Sequence, residues 1–147
     1  MKNVMLLAFV LLAVIPSFVV SAEKETPVKE IKLADEHVVV YYFHGWLRNL
    51  ACTAIEEAGK KAATETFKKE YEAGKITFKV FDIDKPDFSH YKDDYDFASD
   101  LAMVLVKVKG KEETKNKVLQ KVSVLSGDEK KLSAYIEKEI TNFLKTE

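Results

Sequence analysis

The sequence predicts an α/β fold, in which one mixed four-stranded sheet is flanked by helices in the order β-α-β-α-β-β-α. The run "VVVYYF", Val38 to Phe43, is apolar throughout, which is typical of a strand covered on both faces. A long amphipathic pattern and a second strand pattern follow it, which predicts a βαβ unit with a right-handed crossover. The C-terminal half adds two strand patterns and a last amphipathic helix.

The N-terminal residues 1–22 have the features of a secretory signal peptide. Lys2 supplies a positive start, an apolar stretch follows from Val4, and Val20-Ser21-Ala22 offers small residues for cleavage after Ala22. The alternative is an uncleaved membrane anchor, but a spanning helix needs roughly 20 apolar residues, and this stretch is shorter and contains Pro16. The sequence therefore predicts a periplasmic or secreted protein without stable membrane insertion after cleavage.

The charge balance argues against a nucleic-acid-binding protein, and the cysteine content excludes a domain held by its own disulfides. Removal of Lys2 leaves 22 basic and 24 acidic side chains, a balance that gives no electrostatic footprint for nucleic acid. Cys52 is the only cysteine of the 147 residues, so no disulfide can form within the chain. The core must be held by packing alone, although exported chains of this size can use disulfides.

The elements of the first half follow from periodicity and capping residues. Residues 23–36 are charged and predict a linker, with a short edge strand around residues 28–33, ahead of a domain over residues 37–147. Apolar residues at three- and four-residue spacing predict a helix from Asn49 to Ala73, which Gly74 ends. A strand follows over residues 76–84. Asp84 is then expected to cap a short helix, with Pro86 near its first turn.

In the second half, the sequence predicts a strand from Leu101 to Gly110 and a weaker edge strand over residues 117–125. Ser126, Gly127 and Asp128 are expected to start the last helix. That helix has a clean apolar stripe: Leu132, Tyr135, Ile136, Ile140, Phe143 and Leu144. Phe88, Tyr91, Tyr95 and Phe97 are expected to lie in the core.

The element order and the stretch "NLAC" resemble the thioredoxin-like superfamily. That family carries Cys-x-x-Cys at a helix N-terminus, with an apolar residue three positions beyond the second cysteine. Here Cys52 takes the second-cysteine place and Ile55 the apolar place, whereas Asn49 stands in the first-cysteine place and Leu101 in the place of a cis-proline. The resemblance implies a thioredoxin-like fold whose degenerate site lacks the nucleophile.

A closer resemblance is to small exported bacterial thioredoxin-like proteins described as nitroreductase-subunit-like. The shared residues are "YYFHG", Tyr41 to Gly45, and "AIEE", Ala54 to Glu57, and the similarity runs from about Val38 to the C-terminus. It implies accessory work beside a larger reductase. No Gly-rich phosphate loop is present, so we expect no cofactor, and any flavin or nicotinamide chemistry would belong to the partner.

The residues leave the role of Cys52 open between three interpretations. Asn49 is a good helix cap, worth roughly 1 kcal/mol, and Cys52 lies one turn further along on the apolar stripe, which favours a small buried hydrophobic side chain. An accessible thiol could instead form mixed disulfides or a dimer. In the third interpretation Cys52 is catalytic, with His44 as its base.

A cis bond before Leu101 would cost roughly 3 kcal/mol, so a trans bond is predicted.

The segment around Trp46 is the least ordinary feature. Trp46, Leu47 and Leu50 flank Arg48 near the carboxyl edge of the predicted sheet, where open α/β sheets bind ligands. Their residue types are typical of a protein-docking patch. The alternative is that they fold back and close the core over the helix end.

The metal-ligand pattern is weak. His37, His44, His90 and Cys52 lack zinc-type spacing, and capping with strand-end solvation explains Asp82, Asp84 and Asp87. We therefore expect no metal site.

The sequence thus predicts an exported, redox-inactive thioredoxin-like module that binds a protein or peptide of the cell envelope, a reductase being one option. The expected binding residues are Trp46, Leu47, Arg48, Asn49, Leu50 and Leu101. The alternative function is enzymatic: single-thiol disulfide exchange through Cys52 with His44 assisting.

Overall fold

The computed structural model describes residues 31–146. The predicted signal peptide and most of the predicted linker lie outside this range. Residues 31–33, the described part of the expected edge strand, do not form a strand. No helix among the described residues combines the length and the apolar character that crossing a membrane requires.

A four-stranded mixed sheet forms the centre of the molecule. Its strands are β1 (Glu36–His44), β2 (Ile76–Asp82), β3 (Leu101–Lys109) and β4 (Glu112–Val118), in the spatial order β2-β1-β3-β4. Strand β1 is parallel to β2 and antiparallel to β3, and β4 is antiparallel to β3. The predicted class, an α/β fold with a mixed four-stranded sheet and flanking helices, is confirmed.

Strand β1 is central and is buried on both faces, because alternate side chains enter two different cores. Val38, Val40 and Tyr42 pack with the long helices on one face. Val39, Tyr41 and Phe43 pack on the other face with aromatic residues of the β2–β3 connection. The unbroken apolar run of the sequence is therefore the physical consequence of a strand between two layers.

The crossover between β1 and β2 is helical but interrupted. It contains α1 (Leu50–Lys61), a π-helical turn (Ala62–Thr66) and α2 (Lys68–Glu72). Phe67 leaves helical geometry, with φ −100° and ψ 37°, and its N–H donates to the carbonyl of Ala62 at 3.0 Å. The prediction of one continuous helix from 49 to 73 is therefore wrong in its middle, although the apolar stripe still faces the core.

The β2–β3 connection corrects a second prediction. Strand β2 ends at Asp82, turns follow, and the short helix α3 (Tyr91–Asp94) begins without a side-chain cap. Asp84 caps no helix, because its carboxylate accepts the backbone N–H of Trp46 at 2.7 Å. The aromatic residues behave as expected: Tyr95 and Phe97 are buried, and Phe88 and Tyr91 pack in the same aromatic cluster.

The C-terminal hairpin lies earlier in the chain than predicted. Strand β4 covers residues 112–118, and the second half of the expected strand at 117–125 forms the helical turn α4 (Val122–Leu125). Nearly every β4 side chain is exposed, so the strand carries no apolar alternation for a pattern to detect. The last helix α5 (Glu129–Lys145) is confirmed, and the Asp128 side chain caps it by accepting the N–H of Lys131.

Gly74, just beyond α2, adopts a left-handed conformation with φ +70°, and a Cβ there would lie 2.2 Å from the carbonyl oxygen of Lys32. Both features penalise any side chain. We expect Gly74→Ala to lower the free energy of unfolding by at least about 2 kcal/mol in chemical denaturation. Gly127→Ala is the matched control, because nothing lies within 4 Å of a Cβ there. An equal loss in both variants would contradict the description of this turn.

Candidate functional site

Asn49 fixes the start of α1, at the point where the chain leaves β1. Its side-chain oxygen accepts the N–H of Cys52 at 3.0 Å, and its carbonyl accepts the N–H of Thr53 at 3.1 Å. The predicted helix cap is confirmed. The N–H of Cys52, in the first turn of α1, is therefore hydrogen-bonded to the Asn49 side chain. A cysteine thiolate at position 49 would be stabilised by such an N–H.

Cys52 is buried, with 6% of its surface exposed, and the predicted burial is confirmed. Its Sγ lies 3.9 Å from the carbonyl oxygen of Leu47. Its own carbonyl accepts the hydroxyl of Tyr42 at 2.8 Å. Burial raises the pKa of the Tyr42 hydroxyl well above its ordinary value, and the nearby Cys52 adds to the shift. Tyr42 therefore stays protonated and ties β1 to the first turn of α1.

His44 ends β1 on the same side of the molecule. Its Nδ1 lies 2.8 Å from the carbonyl oxygen of Gly45, and because a carbonyl only accepts, Nδ1 carries the proton in that bond. The ring also packs beside Tyr42, with centroids 5.9 Å apart. No hydrogen bond joins His44 to Cys52 in the described part of the chain.

The loop between β1 and α1, together with the first residue of α1, presents three apolar side chains to solvent. Trp46 is 79% exposed, Leu47 66% and Leu50 90%. The alternative in which they fold back to close the core is therefore wrong. Arg48 lies between them and forms an ion pair with Glu56 one and a half turns into α1, which fixes the charged residue against the helix. We call Trp46, Leu47 and Leu50 the apolar patch.

A groove of about 360 Å³ runs beside the apolar patch. Trp46, Leu47 and Asn49 form one wall, and Asp84, Asp100 and Leu101 form the other, with Cys52 in the lining. The groove exists because β1 pairs with β3 so that His44 is opposite Leu101. That pairing brings the loop after β1 next to the segment before β3.

The groove unites some predicted site residues and leaves out others. Trp46, Leu47, Asn49, Leu101 and Cys52 line it, whereas Arg48 and Leu50 lie outside its lining.

Leu101 is half-buried at the start of β3. Its N–H donates to the hydroxyl of Ser99 at 3.1 Å, and no described peptide bond is cis. The trans bond predicted before Leu101 is confirmed.

The sequence does not identify Asp84 as a groove residue, whereas Asp100 is adjacent to Leu101, an expected binding residue. The sequence around Asp84 favours a helix cap, and Asp100 carries no motif. The signal that could have indicated them is their place at the ends of β2 and β3, since these ends lie beside the loop after β1. Gly45 lies close to the same wall: a Cβ there would lie 3.1 Å from Asp84 Oδ2 and 3.3 Å from Asp100 Cβ, so a side chain at this position would press on both aspartates.

Metal binding has no geometric basis among residues 31–146, where no three His, Cys, Asp or Glu side chains could hold one ion together. Asp82, Asp84 and Asp87 do not converge on a point. Asp82 Oδ1 instead accepts the N–H of Asp84 at 3.2 Å, a local turn bond.

The site is therefore a shallow groove with a buried thiol in its lining, an exposed apolar patch on one side and carboxylates on the other. Its parts are apolar area, an exposed tryptophan ring and two carboxylates, of which Asp84 accepts a backbone N–H and Asp100 pairs with Lys92. Comparison with protein-family models, with curated proteins and with solved structures gave no significant match for this chain.

Proposed function

We propose that this protein is an exported, non-enzymatic thioredoxin-like domain that binds a protein or peptide in the groove beside the apolar patch. The observation that carries the proposal is the exposure of Trp46, Leu47 and Leu50 together at the groove edge. Burying such side chains against a partner gains roughly 25 cal/mol for each Å² of apolar surface removed from water. Tryptophan is also among the residues that most often dominate binding energy at interfaces.

The thioredoxin-like assignment is supported by the element order and by the mixed sheet with helices on its faces. The residues "NLAC" and "YYFHG" add the local resemblance. Within that fold, Asn49 in the nucleophile position argues against disulfide exchange, because its side chain is committed to capping α1. The proposed site therefore works by contact and not by chemistry.

Export to the periplasm or beyond the cell is part of the proposal and rests on the sequence of residues 1–22. A partner in the cell envelope follows from it, and a reductase is one such partner. Accessory work of this kind needs no cofactor in this chain, since the partner would supply the redox chemistry.

Trp46→Ala tests the proposal. In quantitative capture from a bacterial periplasmic extract, Trp46→Ala should retain at least about tenfold less of the proteins that the wild type captures. The reason is that the variant removes the largest exposed apolar side chain of the groove wall. The melting temperature should be nearly unchanged, since Trp46 is 79% exposed.

Val124→Ala is the matched control. Val124 is also apolar and is 84% exposed, but it lies in α4 and not in the groove lining. It should retain the same captured proteins as the wild type. Capture that is equal in all three proteins would contradict the proposed docking surface.

A second candidate function is single-thiol disulfide exchange through Cys52. The observation in its favour is that Cys52 contributes to the groove lining. Against it are the 6% exposure of the residue and the absence of a described hydrogen bond from His44. The two functions differ in whether the thiol is accessible in the folded protein.

A further inference from the structure

The groove wall opposite the apolar patch belongs to a strongly acidic segment. Residues 82–100 contain seven aspartates and two lysines, a net charge of −5, while the whole chain has a net charge of only −1. The negative charge of the protein is therefore concentrated in the β2–β3 connection, and the remaining residues are net positive. Such an asymmetry produces a local field that attracts cationic partners.

The two carboxylates nearest the patch differ in their partners. Asp84 Oδ2 accepts the backbone N–H of Trp46 at 2.7 Å, a neutral partner that positions the carboxylate without cancelling its charge. Asp100 pairs with Lys92 at 2.6 Å, but 73% of its side chain is exposed. No described residue in the groove lining is Lys, Arg or His, so the lining itself is negative.

The apolar wall complements a cation as well. The Trp46 backbone is bonded to Asp84 and its side chain is exposed, so an indole ring and a carboxylate line the same groove. An ammonium or guanidinium group is attracted both to a carboxylate and to the face of an indole ring. Leu47 on the same wall, together with Leu50 beyond it, offers apolar area to neighbouring side chains.

We propose that the occupant of this groove is a partner segment in which a Lys or Arg side chain is flanked by apolar residues. This inference rests on the proposed docking function and names the chemistry of its partner. The cation lies against Asp84 and Asp100, and the flanking apolar side chains cover the apolar patch. The carboxylates mainly set discrimination between partners and the association rate, because exposed ion pairs add little affinity.

Three synthetic peptides of equal length test it, each with two central Lys residues between Leu residues, or with Gln or Glu in place of Lys. Fluorescence anisotropy with the protein should show that the Lys peptide binds about tenfold more tightly than the Glu peptide, with the Gln peptide between them. The difference should shrink at high ionic strength, because salt screens exposed charges.

Asp100→Asn should weaken binding of the Lys peptide by about threefold and leave the Gln peptide unchanged. The matched control is Glu112→Gln, which also removes one carboxylate charge. Glu112 lies in β4 and pairs with Lys109, at the end of β3 that is far from Leu101. It should alter neither affinity by more than the experimental error. Sedimentation velocity without peptide completes the test, and the protein should remain monomeric.

The results separate this inference from the docking proposal. Equal affinity for the three peptides, abolished in each case by Trp46→Ala, would preserve the docking surface and overturn the cationic partner. Failure of the Lys peptide to bind would also overturn the cationic partner, and the capture comparison would then decide the docking surface independently. Self-association that Trp46→Ala removes would assign the groove to a second copy of this chain and overturn the inference.

Discussion

Cys52 should react with a thiol reagent about 100-fold more slowly in the folded protein than in denaturant, because reaction requires local opening of the first turn of α1. Its side chain is 6% exposed, and its Sγ lies beside the carbonyl of Leu47. The turn is held by the Asn49 cap and by the Tyr42 hydroxyl bonded to the Cys52 carbonyl. The measurement is the rate of absorbance change with an aromatic disulfide reagent at neutral pH.

Thr53→Cys in a Cys52→Ala background is the control for this rate. Residue 53 is exposed and adjacent in sequence, so its thiol should react in the folded state nearly as fast as in denaturant. A Cys52 that reacts as fast as this control would contradict the inert interpretation. It would make single-thiol exchange the better account of the groove.

Asn49→Cys should form a reversible disulfide with Cys52 when oxidised glutathione is supplied. The two positions are three residues apart across the first turn, and the side chain at 49 already reaches the backbone of residue 52 at 3.0 Å. Side chains three residues apart at a helix start lie on the same face, which is the placement that a disulfide bridge needs. The reduced variant should be about 1 kcal/mol less stable than the wild type, because the asparagine cap is lost. Thiol titration should find two free thiols before oxidation and none after it.

Leu50→Cys is the matched control for this bridge. Residues 50 and 52 are two apart in α1 and do not face each other. Because position 50 is exposed, oxidised glutathione should form a mixed disulfide there and release one glutathione thiolate, with no bridge to Cys52. A variant with Cys at 49 that forms only intermolecular disulfides would contradict the register of α1. It would also remove the local basis for the thioredoxin-like resemblance.

The fold was predictable where the chain is buried on a regular period. The run 38–43 is buried on both faces as expected, and α5 follows from its apolar stripe and its Asp128 cap. These elements are fixed by burial of apolar side chains, and buried side chains recur in the sequence with the period of the strand or helix.

The parts that the sequence did not predict are set by other forces. No proline or glycine marks the π-helical turn at 62–66, and the break depends on how the crossover packs. Strand β4 is specified by hydrogen bonding to β3 at an exposed edge, with charged side chains that resemble a loop. Asp84 had a suitable sequence for a helix cap, but its carboxylate binds a backbone amide 38 residues away.

The candidate site was predictable on one wall and in part on the other, where Leu101 is an expected binding residue. Trp46, Leu47 and Asn49 lie close together in sequence and stand beside a recognisable helix start, so a local pattern indicates them. The other wall, with Asp84 and Asp100, is distant in sequence and meets the loop only through the pairing of β1 with β2 and β3. The aspartates of this wall can be assigned to the groove only when that strand pairing is known.

The central claim is that partners are held by the apolar patch and not by the thiol. Quantitative capture from the periplasmic extract, followed by non-reducing electrophoresis, tests it with Cys52→Ala and Trp46→Ala compared side by side. Cys52→Ala should retain the partners of the wild type without disulfide-linked species, and Trp46→Ala should lose them. Partners that are lost with Cys52→Ala and retained with Trp46→Ala would contradict the account.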